Sequence, residues 1–234
     1  MNNKVSIIIP ALNEEKNIQL LTKKIFKNLK KIKFEIIFVD DNSNDQSKLV
    51  LFKLSNKYKV FNPIIRKKKR DLTQSCFDGI KKSKYQNILI MDADLQHDPK
   101  YIPRMLKEFN KDVDIVIGAR KLITGKNKGL SETRRFASII LVYLFKIFNL
   151  KTSDPMSGYF IFKKKIYLQN KNRLFGKGFK ILADLLVNSK HKLLTKDIYI
   201  NFDRRYHSQS KMNFRILFIL VQFILISFLK RLFI

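Results

Sequence analysis

The segment Lys4-Val-Ser-Ile-Ile-Ile-Pro10 is a continuous apolar run stopped by a proline. Without polar alternation, such a run reads as a strand buried on both faces of a parallel sheet. After Asn13-Glu14-Glu15, the residues Ile18, Leu21, Ile25 and Leu29 recur at helical spacing and lead to Phe34-Glu-Ile-Ile-Phe-Val39, a second strand ending in Asp40-Asp41. One β-α-β unit is thus complete within the first forty or so residues. The alternation continues through a helix near residues 46–58, a short strand near 60–65, a helix near 72–83 and the strand Asn87-Ile-Leu-Ile-Met91. Asp98-Pro99 opens a further helix, and Asp114-Ile-Val-Ile117 is a strand ending at Gly118-Ala-Arg120. Strands alternating with helices predict an α/β fold, a mainly parallel sheet flanked by helices, with ligands at the carboxyl ends of the strands.

The second half is less regular. Residues 132–150 carry Arg134, Arg135 and Lys146 beside Phe136, Ile139, Ile140, Leu144 and Ile147, which suits either a membrane interface or a surface helix packed on the sheet. A basic cluster, Arg204-Arg205-Tyr206-His207, precedes the apolar residues 214–229. As a helix that run measures roughly 24 Å, short of the roughly 30 Å hydrocarbon core. The expectation is a C-terminal hydrophobic helix lying in the membrane plane or anchored shallowly, ahead of a true span. Burial against the domain body ranks last, because the helix is apolar almost all round. The chain therefore divides into a domain over residues 1–211 and a membrane-associated helix over 212–234.

The 234 residues suffice for one large α/β domain. Lysine and arginine number 48 against 19 acidic residues, a net +29 that attracts nucleic acid, phospholipid surfaces or phosphorylated substrates alike. Nucleotide-composition bias also produces heavy use of Lys, Asn, Ile and Phe, so local clusters are more informative than the sum. The single cysteine, Cys76, excludes an intramolecular disulfide and a multi-Cys zinc site, and reads as a small buried residue. The first residues lack the apolar stretch and cleavage site of a secretory signal, so the body is expected in the cytoplasm.

The sharpest local feature is Asp92-Ala-Asp-Leu-Gln96, directly after a strand. Two carboxylates at i and i+2 and a nearby amide oxygen are the hard ligands that Mg²⁺ or Mn²⁺ prefers, and such a cation can hold a diphosphate. Asp40-Asp41, Pro10-Ala-Leu-Asn-Glu14 and Gly118-Ala-Arg120 end three other strands, so four strands deliver polar groups to one sheet edge. Carboxylates near a ribose or base, a metal-binding pair near a diphosphate and an arginine for phosphate together make a nucleotide-sugar site. No Gly-x-Gly-x-x-Gly follows the first strand and no phosphate-binding Gly-x-x-x-x-Gly-Lys-[Ser/Thr] loop occurs.

At these residues the sequence resembles a known family. Ile7-Ile-Ile-Pro-Ala-Leu-Asn-Glu-Glu15, Phe38-Val-Asp-Asp-Asn-Ser43 and Asp92-Ala-Asp-Leu-Gln96 are similar to successive motifs of family-2 glycosyltransferases with a GT-A fold. Asp154-Pro-Met-Ser-Gly-Tyr-Phe160, Gly178-Phe-Lys-Ile181 and Arg205-Tyr-His-Ser-Gln-Ser-Lys211 resemble the dolichyl- or polyprenyl-phosphate mannosyltransferase branch. The resemblance implies a nucleoside pocket lined by Pro10, Leu12, Glu14, Val39 and Asp41, donor contacts from Asp92, Ala93 and Asp94, and a Mg²⁺ or Mn²⁺ held by Asp94 and Gln96. It implies that Arg120 meets the diphosphate or acceptor phosphate, that Arg134, or Arg135 in its place, holds the lipid phosphate, and that Arg205 and Lys211 close over the site. Asp92, Asp94, Arg120 and Arg205 form the catalytic set on this reading. Two positions depart from the family pattern: Ser208 stands where a glycine is usual, and Leu12 where many relatives carry tyrosine.

The implied activity is inverting transfer of a hexose, mannose from GDP-mannose, onto a polyprenyl or dolichyl phosphate at the cytoplasmic membrane face. A lipid monophosphate is already an anion at neutral pH and needs no general base. Glucosyl transfer from UDP-glucose to the same lipid is the rival within enzymes. A basic nucleic-acid-binding protein is the rival outside them, opposed by the lack of a recognised binding signature. Among quieter features, His97 is expected to be exposed in its loop, Arg66-Lys-Lys-Lys-Arg70 to be a solvated or membrane-facing run, and Asp154 to order the turn before Ser157-Gly158.

Overall fold

The computed structural model of the protein describes residues 4–109, 113–121, 132–178, 180–203 and 214–232, with the backbone alone for 132–138, 214–217 and 231–232. The first half alternates as the sequence predicts: β1 (Lys4–Ala11), α1 (Glu15–Asn28), β2 (Lys33–Asp40), α2 (Ser47–Lys57), β3 (Ile64–Ile65), α3 (Leu72–Lys82) and β4 (Asn87–Ile90). A single 3-10 turn at Pro99–Tyr101 leads into α4 (Ile102–Phe109), followed by β5 (Ile115–Arg120) and α5 (Glu132–Phe145). The rest is β6 (Phe160–Lys163), α6 (Lys164–Asn170), α7 (Ile181–Asn188), β7 (Thr195–Ile200) and α8 (Phe214–Leu232).

The strands form one sheet in the order β3-β2-β1-β4-β6-β5-β7. Every pairing is parallel except those of β6, which runs antiparallel to both β4 and β5. Successive side chains of a strand face opposite sides, so each strand feeds two cores. Ile7 and Ile9 of β1 pack with Ile18, Leu21 and Ile25 of α1 and with Met105 and Leu106 of α4. Ile8, with Ile37 and Val39 of β2, packs on the other face against Cys76, Phe77 and Ile80 of α3 and Leu182 and Leu185 of α7. Cys76 is fully buried, as expected, and its thiol is pushed well up by burial, with neighbouring Asp92 adding to the effect.

Local chemistry starts and anchors these elements. Asp71 caps α3 by accepting from the Gln74 amide at 3.0 Å, while its second oxygen accepts from the Gly178 amide at 2.8 Å. One carboxylate thus ties the start of α3 to the loop before α7. Gly79 lets α3 lie close on the sheet: a Cβ there would sit 2.5 Å from Ile8 Cγ2 and 3.2 Å from Val39 Cγ2.

A third apolar cluster holds the C-terminal helix. Leu220 and Phe223 of α8 are buried with Phe145, Phe148, Met156, Ala183 and Val187. Asn188 Nδ2 donates to Ser227 Oγ at 3.1 Å, so positions 220, 223 and 227 form one helical face against the body. Burial against the domain, ranked last from the sequence, is therefore what this face does. An all-round apolar composition supplies a packing face as readily as a lipid-facing one. The opposite side stays exposed at Phe218, Val221, Leu225, Phe228 and Leu229, and α5 exposes Ile140, Tyr143 and Leu144. Among the described residues no helix is long and apolar enough to cross a membrane.

Because Gly79 faces branched side chains of two strands, Gly79→Ala overpacks the junction of α3 with the sheet. A loss of about 1–3 kcal/mol is expected in denaturant unfolding, against less than that for Ala at an exposed helix position.

Candidate active site

The strand order places a switch point between β1 and β4: from β1 the chain runs to β2 on one side and from β4 to β5 on the other, so the two connections diverge and a crevice opens at the carboxyl ends of these strands. Three loops leaving this edge turn at residues in the left-handed region: Asn13 at φ 55°, Asn42 at φ 62° and Leu95 at φ 65°. Asparagine accepts that conformation easily, whereas for leucine it costs about 1–2 kcal/mol. Burial of Leu95, beside β4, holds it there.

At the β1 and β2 ends, Pro10, Glu14 and Asp41 are buried and Leu12 is half-buried. Glu14 Oε2 accepts from Asn17 Nδ2 at 2.7 Å, and the Glu14 amide donates to Ser47 Oγ at 2.9 Å. Asp41 is paired with Arg66, whose Nε also donates to Asp78 at 3.0 Å and whose terminal nitrogen donates to Ser75 Oγ at 3.1 Å. Burial lifts the Asp41 pKa above the usual carboxylate range, and Arg66 opposes the shift. The expected solvated run at residues 66–70 is thus split: Lys67, Lys68 and Lys69 are exposed, Arg66 is buried, and Arg70 donates to the Asn42 carbonyl at 2.7 Å. Two carboxylates, Asp41 after β2 and Asp78 on α3, draw Arg66 inward. Val39, expected to line the nucleoside pocket, has its side chain wholly buried against α3, which leaves its backbone for the crevice.

The loop after β4 carries the acidic pair. Asp92 is half-buried, whereas Ala93, Asp94 and Gln96 are buried. Asp94 Oδ1 accepts from the Gln96 amide at 3.1 Å, closing the turn. Gln96 Nε2 donates to the Asp203 carbonyl at 2.8 Å and the Asp203 amide donates back to the Gln96 carbonyl at 3.3 Å, linking the loop to the chain after β7. His97 is 2% exposed, contrary to the expectation of an exposed loop residue. Its ring stacks on Tyr159 at 5.1 Å and lies 5.4 Å from Phe202, and its Nδ1 accepts from the Asp92 amide at 3.3 Å. Aromatic neighbours from β6 and beyond β7, distant in sequence, bury a histidine that its own loop would leave in water.

Arg120, at the end of β5, is clamped by Asp154. Its Nε and a terminal nitrogen donate to the two carboxylate oxygens at 2.7 and 2.8 Å, its own amide donates to one of them at 3.1 Å, and the guanidinium lies 5.5 Å from the Phe202 ring centre. Burial opposes its charge, and the Asp154 pair outweighs that. A bidentate fork leaves the rest of the guanidinium in a fixed direction. Asp154, expected to order a turn, does more: it aims an arginine. Lys180 belongs to the same electrostatic neighbourhood. Burial, aided by the Arg120 charge and opposed by Asp154 and Asp92, pushes its pKa down to about 7.

Asp92 and Arg120 thus share one electrostatic neighbourhood, with Ala93, Asp94 and Gln96 in the Asp92 loop and Pro10, Leu12, Glu14 and Asp41 at neighbouring strand ends. Arg134 and Arg135 lie on α5, where the backbone alone is described, and Arg205 and Lys211 lie outside the described residues, as does the boundary expected at residue 211. Lys180, Asp154 and Arg66 complete the charge balance; the first two stand within motifs of the sequence, but the sequence assigns none of the three a site role, Asp154 being expected to order a turn ahead of facing the acceptor. Among the described residues no cluster of three or more His, Cys, Asp or Glu forms a self-sufficient metal cage. Asp92, Asp94 and Gln96 instead supply a few hard oxygens on one side, which fits a Mg²⁺ or Mn²⁺ ion completed by substrate phosphates.

A Cβ on Gly158 would lie 2.9 and 3.0 Å from the two Asp92 carboxylate oxygens. Gly158→Ala is therefore expected to leave the melting temperature almost unchanged, since a partly exposed carboxylate can swing away, yet to lower turnover about tenfold or more by misplacing Asp92. Wild-type turnover in this variant would detach Asp92 from the chemistry.

Residues 6–170 match the family described as Glycosyl transferase family 2. The chain belongs to this family and is a glycosyltransferase. It is 33% identical over 220 residues to a dolichol-phosphate mannosyltransferase of Pyrococcus furiosus, covering 92% of this chain and 61% of that protein. With the dolichol-phosphate mannosyltransferase of Saccharomyces cerevisiae it shares 31% identity over 227 residues, 93% of this chain and 84% of the yeast protein. In three dimensions it resembles glucosyl-3-phosphoglycerate synthase from Mycobacterium tuberculosis in complex with Mn²⁺ and UDP-glucose, with a TM-score of 0.71 at 14% identity, over 97% of this chain and 78% of that one. That likeness establishes the GT-A type α/β fold.

Proposed function

We propose that the protein transfers a hexose, mannose from GDP-mannose, to a polyprenyl or dolichyl phosphate at the cytoplasmic face of a membrane, inverting the anomeric centre. The observation that carries this reading is the meeting of Asp92, whose loop also carries Asp94, with Arg120, aimed by Asp154, and with Lys180 at one sheet edge. Relatives named dolichol-phosphate mannosyltransferase, 30–33% identical, support the choice of substrates. Pro10, Leu12, Glu14, Asp41 and the backbone of Val39 receive the nucleoside, and Asp92, Ala93 and Asp94 the sugar diphosphate. Asp94 and Gln96 hold a Mg²⁺ or Mn²⁺ ion which, when bound, neutralises charge on the departing diphosphate.

The remaining work falls to cations of the chain. Two anionic substrates repel each other, and Arg120, Arg134, Arg205 and Lys211 offset that repulsion and orient the phosphate oxygen toward the anomeric carbon. A Lys180 pKa of about 7 leaves it partly neutral in the resting protein, so an arriving phosphate draws it to the charged form. Residues 1–211 act as the catalytic unit. The helix beyond them, together with α5, turns exposed apolar side chains to the lipid from which the acceptor comes.

Radiolabelled GDP-mannose and UDP-glucose, each offered with polyprenyl phosphate and Mn²⁺, decide the donor. Label is expected to enter lipid from GDP-mannose with inversion, and Asp94→Asn, which keeps the turn hydrogen bond while removing the charge, is expected to slow transfer about a hundredfold or more. Transfer from UDP-glucose alone makes the enzyme a glucosyltransferase, and a product of retained configuration rules out direct attack. Salt-sensitive nucleic-acid binding without donor binding overturns the whole assignment.

A further inference from the structure

A second cationic site lies away from the catalytic edge. A cavity of about 610 Å³ opens between the turn after α5, the helices α6 and α7, the start of β7 and the end of α8. Its wall carries Lys151, Arg173, Lys190, His191, Lys192 and Lys230, and no aspartate or glutamate lines it. Among the described residues no ion pair engages these side chains. Lys230 Nζ donates to the Arg173 carbonyl at 3.2 Å and acts across space on the buried Asp184, whose oxygens are already taken by the amides of Phe175 and Gly176 and by Asn188. The Thr195 hydroxyl, in the same wall, lacks a hydrogen-bond partner among the described residues.

Its position is as informative as its charge. In the parallel pairing of β5 with β7, Thr195 stands opposite Ile115 and Ile200 opposite Arg120, so the cavity lies about 17 Å along β7 from the catalytic edge. The cavity is also rimmed by apolar surface. Ile147 is exposed directly before Phe148, Leu229 directly before Lys230, and Leu194 between Leu193 and Thr195. A soluble anion has no use for that border. An anionic headgroup reached through a lipid surface uses both parts, apolar side chains entering the interface and lysines meeting the phosphate.

We propose that this cavity binds the phosphate headgroup of an anionic phospholipid. It rests on the reading that α5 and α8 lie on the membrane, and it gives the protein a second point of attachment at the end of those helices remote from the acceptor phosphate. With both ends held, the apolar flank lies flat and the catalytic edge keeps a fixed height above the bilayer.

The test is flotation of the full chain with phosphatidylcholine vesicles, with and without phosphatidylglycerol, for the wild type, for Lys151→Gln/Lys190→Gln/Lys192→Gln and for the control Lys67→Gln/Lys68→Gln/Lys69→Gln. All six lysines are exposed, so neither triple variant disturbs packing. Phosphatidylglycerol is expected to strengthen wild-type and control binding, and the cavity variant to lose about tenfold or more of that gain while binding phosphatidylcholine equally. Equal loss in both triples, or no loss in the cavity variant, overturns the cavity site and leaves the apolar docking intact. Binding to neither vesicle overturns both. Release from phosphatidylglycerol vesicles by inorganic phosphate, but not by chloride at equal ionic strength, reassigns the cavity to free phosphate.

Discussion

One antiparallel strand sets up the site. In a wholly parallel sheet, the carboxyl ends of β4 and β5 would stand beside each other or beside another outgoing loop. Here β6 lies between them and runs the other way, so the chain entering it arrives at the edge the others leave. That entering segment carries Asp154, Ser157 and Gly158. Asp154 meets Arg120 from β5, and Gly158 lies against Asp92 from β4. Ser157 Oγ donates to the Gly118 carbonyl at 2.7 Å and locks the turn in place. Removing one partner of a buried pair such as Arg120–Asp154 typically costs about 3–5 kcal/mol. The arrangement is therefore stiff, and stiffness is what orientation of two phosphates requires.

The first half of this architecture is legible in the sequence because β1 and β2 are long apolar runs joined by a periodic helix, and the short β3 and β4 continue that alternation. The second half is not. Phe160–Lys163 is a four-residue strand running into lysines at its C-terminal end, too short to show a period, and its reversal of direction has no local signature. Helix α7, Ile181–Asn188, is buried on every side and so lacks the amphipathic spacing by which helices are recognised. At the site, Asp92, Asp94 and Arg120 could be selected because they directly follow strands. Lys180 could not, since its altered basicity comes from burial and from the Arg120 charge, both brought to it by tertiary structure. The same holds for Arg66, one basic residue in a run of five, which differs from its neighbours only because Asp41 and Asp78 pull it inward.

The net charge of +29 resolves into places with different physics. Arg66, buried, and Arg120, half-buried, are fixed by carboxylates, so their role is orientation. The basic wall of the cavity near β7 is unpaired among the described residues and faces the apolar flank formed by α5 and α8. The helix α8 serves two surfaces at once, packing Leu220 and Phe223 inward while presenting Phe218, Leu225 and Phe228 outward. Burial of two such side chains contributes roughly 3–6 kcal/mol, enough to keep the helix on the body without a bilayer.

The proposed activity requires that the edge formed by β1, β4, β5 and the entry to β6 receive a nucleoside diphosphate through a cation at Asp94 and Gln96. A crystal structure of the protein with Mn²⁺ and GDP, recorded at the manganese absorption edge, tests it most directly. The predicted result is an anomalous peak within bonding distance of Asp94 and Gln96, with the diphosphate between it and Arg120. A nucleotide bound elsewhere, or bound at this edge with manganese remote from Asp94, would contradict it.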